Sequence, residues 1–134
     1  MKSEEKLYLK EFEEKCEIFN TIPNSEGTRL YRQFKDKAHI MCISDMYFSS
    51  KVINKILNIN GFKVEQIFVS CEYKCSKKEK DLYRKVLCTL SIDRHDFMHI
   101  GDAIRSDYMN PKCLRLKSKL VKKSFNRTTD REYF

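Results

Sequence analysis

The chain has 134 residues, 41% of them hydrophobic, and a net charge of +8. That is one globular domain, large enough to bury roughly two thirds of the surface its unfolded chain exposes. No run reaches the ~18 apolar residues of a membrane span, and the opening Met-Lys-Ser-Glu-Glu-Lys lacks the apolar core of a signal peptide, so neither a membrane span nor secretion is expected, and a reducing, cytoplasmic setting is.

Residues 3–20 predict a helix, with Leu7, Phe12, Cys16 and Phe19 at spacings of three to five on a charged background. Pro23 and Asn24 end it and start a second helix over about 24–37, with Leu30, Tyr31 and Phe34 on one face. The run from His39 to Asp45 reads as a buried strand. Ser49 and Ser50 cap a helix over about 50–60, carrying Val52, Ile53, Ile56, Leu57 and Ile59, and Asn60-Gly61 stops it. A second strand is predicted at about 65–70, a polar loop at 71–77, and a helix at 78–90 with Leu82, Tyr83, Val86, Leu87 and Leu90. A third strand at about 96–100 runs into Gly101-Asp102, and a short helix (about 105–114) and a last strand (about 118–121) follow. Strands alternating with helices predict βαβ units, a parallel sheet and right-handed crossovers.

Positive charge gathers after Lys112, in Arg115, Lys117, Lys119, Lys122, Lys123, Arg127 and Arg131 against Asp130 and Glu132. Aromatics do not interleave with these bases as a nucleic-acid stacking platform requires, so 122–134 reads as a solvated, disordered basic tail. Among the six cysteines only Cys71 and Cys75 lie close, with no second pair and no nearby His, which is not zinc spacing. Free thiols are expected.

Polar groups sit just past each predicted strand: Ser44 with Asp45, Ser70, then Lys77, and Asp102 with Asp107. In a parallel sheet these ends share one edge, where open α/β sheets bind ligands. Two nearby carboxylates repel unless a cation or hydrogen-bond donors lie between them, and oxygen ligands with room for water suit Mg²⁺. A hydroxyl, a lysine and paired acids around Mg²⁺ can hold a phosphoryl group. Plainer roles compete. Asp102 or Ser106 can cap the next helix, Ser44 and Ser70 can form turns, and Asp45 can be a capping or turn residue. His39 and His95 are scattered, and His99, inside an apolar run, reads as a satisfied core histidine.

Ser44 behind the apolar run 40–43, Lys77 with Tyr83 six residues on, and Gly101-Asp102 followed by Asp107 resemble the second, third and fourth motifs of the haloacid dehalogenase (HAD) superfamily. The stretches 43–47 (Ile-Ser-Asp-Met-Tyr), 69–73 (Val-Ser-Cys-Glu-Tyr) and 99–107 (His-Ile-Gly-Asp-Ala-Ile-Arg-Ser-Asp) are similar to HAD-like hydrolase domains found alongside bacterial polysaccharide glycosyltransferases. The likeness spans about residues 10–121. It implies an α/β, Rossmann-like parallel sheet and Mg²⁺-dependent hydrolysis of a small phosphorylated substrate through an aspartyl-phosphate. By matching positions, Ser44 would hydrogen-bond the phosphoryl group, Lys77 would steady the nucleophile and phosphate, and Asp102 would ligate Mg²⁺. Asp107 would be a further carboxylate of the metal site or a support behind it.

The family's first motif, an apolar strand ending Asp-x-Asp-x-Thr that carries the nucleophile and its acid/base partner, does not occur before Ser44. Residues 1–38 instead resemble the end of a helical cap and its linking helix, and 39–121 a core without its first, central strand. The strands ending at Ser44 and Asp102 are therefore expected to pair directly, or to leave a gap with unpaired backbone groups. The chain alone is expected to be inactive, completed by a missing N-terminal segment or a glycosyltransferase partner. A rival reading makes Asp45 the nucleophile, with Ser70 as the motif hydroxyl and Lys77 and Asp102 retained. A third is a degenerate, non-catalytic HAD module that binds anions or a partner.

Overall fold

Short apolar runs separated by amphipathic segments fold here as βαβ units. The computed structural model describes residues 2–123, so that part of the expected basic tail, 124–134, lies outside the described residues. Helices α1 (Ser3–Asn20) and α2 (Ser25–Phe34) precede strand β1 (Met41–Ser44), and α3 (Ser50–Ile59) leads to β2 (Gln66–Val69). A single turn, α4 (Ser70–Tyr73), and α5 (Asp81–Leu90) lead to β3 (Met98–Gly101). A π-helix (Ile104–Met109) and a single turn, α6 (Asn110–Cys113), connect to β4 (Lys117–Leu120). No helix among the described residues is long and apolar enough to cross a membrane.

Local chemistry sets the boundaries. The Asn24 and Ser49 side chains accept from the backbone N–H of Gly27 and Val52, capping α2 and α3. Helix α2 stops at Phe34, earlier than expected, because the N–H groups of Lys37 and Ala38 both turn back to the Phe34 carbonyl. Helix α5 starts at Asp81 rather than 78, because Lys80 takes a left-handed backbone (φ 68°). The helix expected over 105–114 is split in two, its first part widened to π geometry.

β1 pairs in parallel with β2, Ser44 opposite Val69, and β3 pairs in parallel with β4, Gly101 opposite Leu120. Among the described residues no ladder joins β1 to β3. The direct pairing expected of these two strands is therefore not present among the described residues.

Side-chain packing nevertheless spans both pairs. On one face Leu82, Tyr83 and Val86 of α5 pack with Phe68 of β2, with Phe97 before β3 and with Leu114 and Leu116 before β4, and Ile43 of β1 lies against this cluster. Phe68, Leu82, Tyr83 and Val86 are wholly buried, each contributing roughly 1.5–3 kcal/mol by area. The second cluster joins Phe48, Val52, Ile53 and Ile56 to Val69, with Cys42 and Ile18 at its margin. Helix α1 meets the core at this edge, through Ile18 and contacts with α3. Its apolar positions Leu7, Phe12 and Phe19 are exposed, since their uneven spacing does not put them on the side that faces α3.

Candidate functional site

The strand ends place Ser44 and Gly101 at one edge, and the loop between α4 and α5 carries Lys77 across it. This loop is held from several sides. Asp45 accepts from the backbone N–H of Lys77 at 2.8 Å and of Lys78 at 3.3 Å. The buried Asn110 amide donates to the carbonyls of Lys77 and Lys78 at 3.0 and 2.9 Å. Asp81 accepts from the Ser76 N–H, and Ser76 Oγ accepts from the Glu79 N–H. Lys74 and Lys80, on either side of Lys77, both have positive φ (54° and 68°), a strained state for a non-glycine residue. Strain of ~1–2 kcal/mol per residue persists only where surrounding bonds over-determine the backbone, and these six hydrogen bonds do so.

Lys77 Nζ donates to Asp107 Oδ1 at 2.5 Å, with little of either side chain reaching solvent. His99 Nε2 lies 2.9 Å from the same oxygen, and Oδ2 accepts from the Ala103 N–H at 3.0 Å. Burial pushes the Asp107 carboxyl up, but the bonds from His99, Lys77 and Ala103 and the Lys77 charge hold it well below the usual carboxylate range. Burial pushes His99 down, against the pull of Asp107 and with help from the Lys77 charge, so its ring is neutral and donates through Nε2. The arrangement is thus one anion, one cation and one neutral imidazole. It makes His99 the satisfied histidine that its apolar surroundings predicted.

Two features bring Asp107 to this place. Gly101 lies directly beneath its side chain, and a Cβ at that position would collide with the Asp107 carboxylate. The glycine is needed for close approach, not for an unusual φ. Above, Tyr83 donates its hydroxyl to the Ser106 carbonyl at 2.5 Å, at the π-helical turn that presents Asp107. Burial, and then the charges of Asp107 and Asp45, push the Tyr83 hydroxyl far up, so it stays a proton donor. Wide π turns of this kind mark functional sites more often than ordinary helix does.

The sequence-predicted residues therefore divide. Asp45, Lys77 and Asp107 are joined around one loop, and Ser44 precedes Asp45 at the end of β1. Ser44 Oγ accepts from the Met46 N–H at 3.1 Å and keeps its own proton for an outside acceptor. Ser70 starts α4 at the end of β2, half-buried. Asp102 is exposed on the turn after β3, and no protein donor among the described residues binds its carboxylate. Asp107, expected beside Asp102 as a metal-site carboxylate or a support behind it, has both oxygens engaged by protein donors.

Among the described residues no three His, Cys, Asp or Glu side chains are grouped to hold a metal ion. The donors present fit only a hard cation that takes one carboxylate, Asp102, and fills its other positions with water and phosphate oxygens, as Mg²⁺ does. A cleft of about 740 Å³ lined by Tyr31, Lys35, Ile40, Phe62 and Lys63 opens at the other end of β1, away from Ser44. None of the expected site residues lines it. Asp45, Lys77 and Asp107 lie instead at the strand-end edge.

No protein-family model matches the sequence, and no curated protein sequence matches it. In three dimensions the chain is similar to crystal structures of a HAD family enzyme from Bacteroides thetaiotaomicron. The wild-type enzyme with magnesium and inorganic phosphate shares 15% identity at a TM-score of 0.60, over 81% of this chain and 58% of that one. The same figures, with 59% of that chain, hold for a variant, also with magnesium and phosphate, in which alanine replaces an aspartate near the amino terminus. A third structure of the enzyme gives 17% identity and a TM-score of 0.60 over 83% of this chain and 57% of that one. The fold is therefore HAD-like, α/β with short parallel strands. The chain spans less than three fifths of the length of the enzyme it matches.

Proposed function

We propose that this chain is the phosphate-binding part of a HAD-like phosphohydrolase that acts on a small phosphomonoester. The observation that carries this reading is the buried Lys77–Asp107 pair, fixed between the ends of β1 and β3. Lys77 has three N–H donors and Asp107 takes one, which leaves two for phosphoryl oxygens. The Ser44 hydroxyl supplies another donor at the same edge. Asp102 would hold Mg²⁺, whose role when bound is to neutralise phosphate charge. The support for Mg²⁺ is the exposed Asp102 carboxylate at the strand-end edge and the magnesium and phosphate bound by the similar bacterial enzyme.

An aspartyl-phosphate route needs a carboxylate as nucleophile. Both oxygens of Asp45 accept backbone N–H groups of the Lys77 loop, which supports a clamping role for it in place of that one. No Asp-x-Asp-x-Thr precedes Ser44. Residues 39–121 act as the core and 1–38 as the remainder of a cap, and the nucleophile comes from outside these segments. The likeness of 43–47, 69–73 and 99–107 to domains found beside glycosyltransferases supports such an enzyme as partner, in a cytoplasmic setting that suits six free cysteines.

The test is inorganic phosphate binding and p-nitrophenyl phosphate hydrolysis by the purified chain, with and without Mg²⁺, beside Asp45→Asn, Asp102→Asn and Ser44→Ala. The expected result is Mg²⁺-dependent phosphate binding, weakened in Asp102→Asn and Ser44→Ala, without turnover. Turnover lost in Asp45→Asn would make Asp45 the nucleophile and the chain complete. No phosphate binding at all would sink the reading.

A further inference from the structure

We infer that the cleft at the opposite end of β1 from Ser44 is a binding site for a free aromatic amino acid, a planar ring bearing one carboxylate and one ammonium. Two turns build it. After α2 the N–H groups of Lys37 and Ala38 fold back on the Phe34 carbonyl, and after α3 the Asn60-Gly61 turn leads the chain to β2. Between them lies a hollow of about 740 Å³, within the roughly 300–1,000 Å³ of small-molecule pockets. Gly61, at φ 84°, has no atom within 4 Å of where a Cβ would stand, so the rim is open there.

Tyr31 and Phe62 supply the apolar wall. Their rings meet edge to face, at 4.9 Å and 62°, and both stay half-buried. Such a pair leaves ring surface for a third planar ring, which gains by stacking offset or edge-on. The wall is held in shape by backbone bonds. The Tyr31 hydroxyl accepts from the Lys63 N–H at 2.9 Å and donates to the Lys63 carbonyl at 3.3 Å. The Glu65 N–H donates to the Ile40 carbonyl at 2.8 Å, which joins the far side of the cleft to the start of β1. A site formed before its ligand arrives loses little freedom on being filled.

The charges define the occupant. Both signs line the cleft, Lys35 and Lys63 against Asp36 and Glu65. Glu65 is shared with His39, whose Nδ1 lies 2.8 and 3.0 Å from its two oxygens. Among the described residues neither lysine makes an ion pair, and Asp36 makes none. Lys35 and Asp36 are consecutive at the end of α2, where neighbouring side chains do not face each other. A simple anion would meet the two acids and a simple cation the two lysines, and like charges brought together cost affinity. A small frame carrying both signs and a ring satisfies the whole lining. This site stands apart from the phosphohydrolase reading, since it shares no residue with the Lys77 edge.

The test uses the full chain and L-tryptophan, whose fluorescence is read directly because the chain contains no Trp. Saturable binding is expected, half-complete at about 0.1–1 mM as ligand efficiency allows for so small a molecule. Amide shifts should gather in 31–40 and 58–65 and leave 98–107 unmoved. Tryptamine and indole-3-propionate, each lacking one charge, should bind about two- to fivefold more weakly, the range of a single exposed ion pair. Asp36→Asn should weaken tryptophan and tryptamine but not indole-3-propionate. Lys35→Ala combined with Lys63→Ala should weaken tryptophan and indole-3-propionate but not tryptamine. All three side chains are exposed, so these variants keep the fold. No saturable binding below about 10 mM, shifts at the Lys77 edge instead, equal affinity for the three compounds, or variants without this crossed pattern would each overturn the proposal.

Discussion

Lys77 and Asp107, thirty residues apart, form an ion pair at 2.5 Å whose side chains are only 12% and 5% exposed. Removing one partner of such a pair strands the other as a buried, uncompensated charge. Asp107→Leu is expected to cost about 3–5 kcal/mol of folding stability, and Lys77→Met a similar amount. The double variant should lose clearly less than the sum of the two, because neither charge remains. Urea unfolding of all four proteins measures this coupling, and strict additivity would mean that the pair contributes nothing as a pair.

Stability should fall on acidification in two stages. His99 has its folded pKa lowered, so the unfolded chain takes up the proton first. The contribution is whole above the ordinary histidine value near 6.5 and is lost as pH falls below it. Asp107 also has its folded pKa lowered, so its contribution is whole above the ordinary value near 3.9 and is lost as pH drops through the folded value. Urea midpoints from pH 8 to pH 3 should decline below about pH 6.5 and again below about pH 4. In His99→Gln the first decline should be smaller, and an unchanged profile would show that His99 is not held neutral.

Gly101→Ala should destabilise by about 1–3 kcal/mol or more, because the added methyl meets the Asp107 side chain in a packed turn. Thermal unfolding provides the measurement. A neutral result would mean that Asp107 can move away freely, against its three hydrogen bonds.

Asn110→Ala removes two donors from the carbonyls of Lys77 and Lys78 and should cost about 1–3 kcal/mol. It should also raise amide exchange in 74–80 more than elsewhere, since the loop is strained at Lys74 and Lys80 and relies on its clamps. Asp45→Asn, at an exposed position, should loosen the same segment with a smaller loss of stability.

Tyr83→Phe keeps the aromatic core contact and deletes one hydrogen bond to Ser106, for an expected loss of about 1 kcal/mol. If the hydroxyl shapes the π turn, the 104–109 amides should shift in the NMR spectrum while those of α3 stay unchanged. Equal shifts in both would mean a general loosening.

The alternation of strands and helices was readable from periodicity, because α3 and α5 each show one apolar stripe and β1 and β2 lie in apolar runs. Ser49 and Asn24 announced themselves through local rules of capping, whereas the close approach at Gly101 did not. His99 was readable as a buried, satisfied side chain, but its partner was not. Asn110 gave no signal at all, since its partners are two backbone carbonyls more than thirty residues away. The division of labour between the two acids was equally hidden. Asp102 and Asp107 look alike along the chain, yet one faces solvent and the other is enclosed by Lys77, His99 and Ala103.

What the sequence determined by itself is local: which segments are helix or strand, which polar residues end the strands, and the order of motifs resembling the HAD superfamily. These follow from near-neighbour sterics, hydrogen bonding and hydrophobic spacing. Only the tertiary structure decided that Asp45 and Asn110 clamp the loop of Lys77, that Asp107 pairs with that lysine, and that β1 and β3 stay apart. Those outcomes depend on long-range packing, in which α5 joins two strand pairs through side chains while their facing backbone edges have no partner among the described residues.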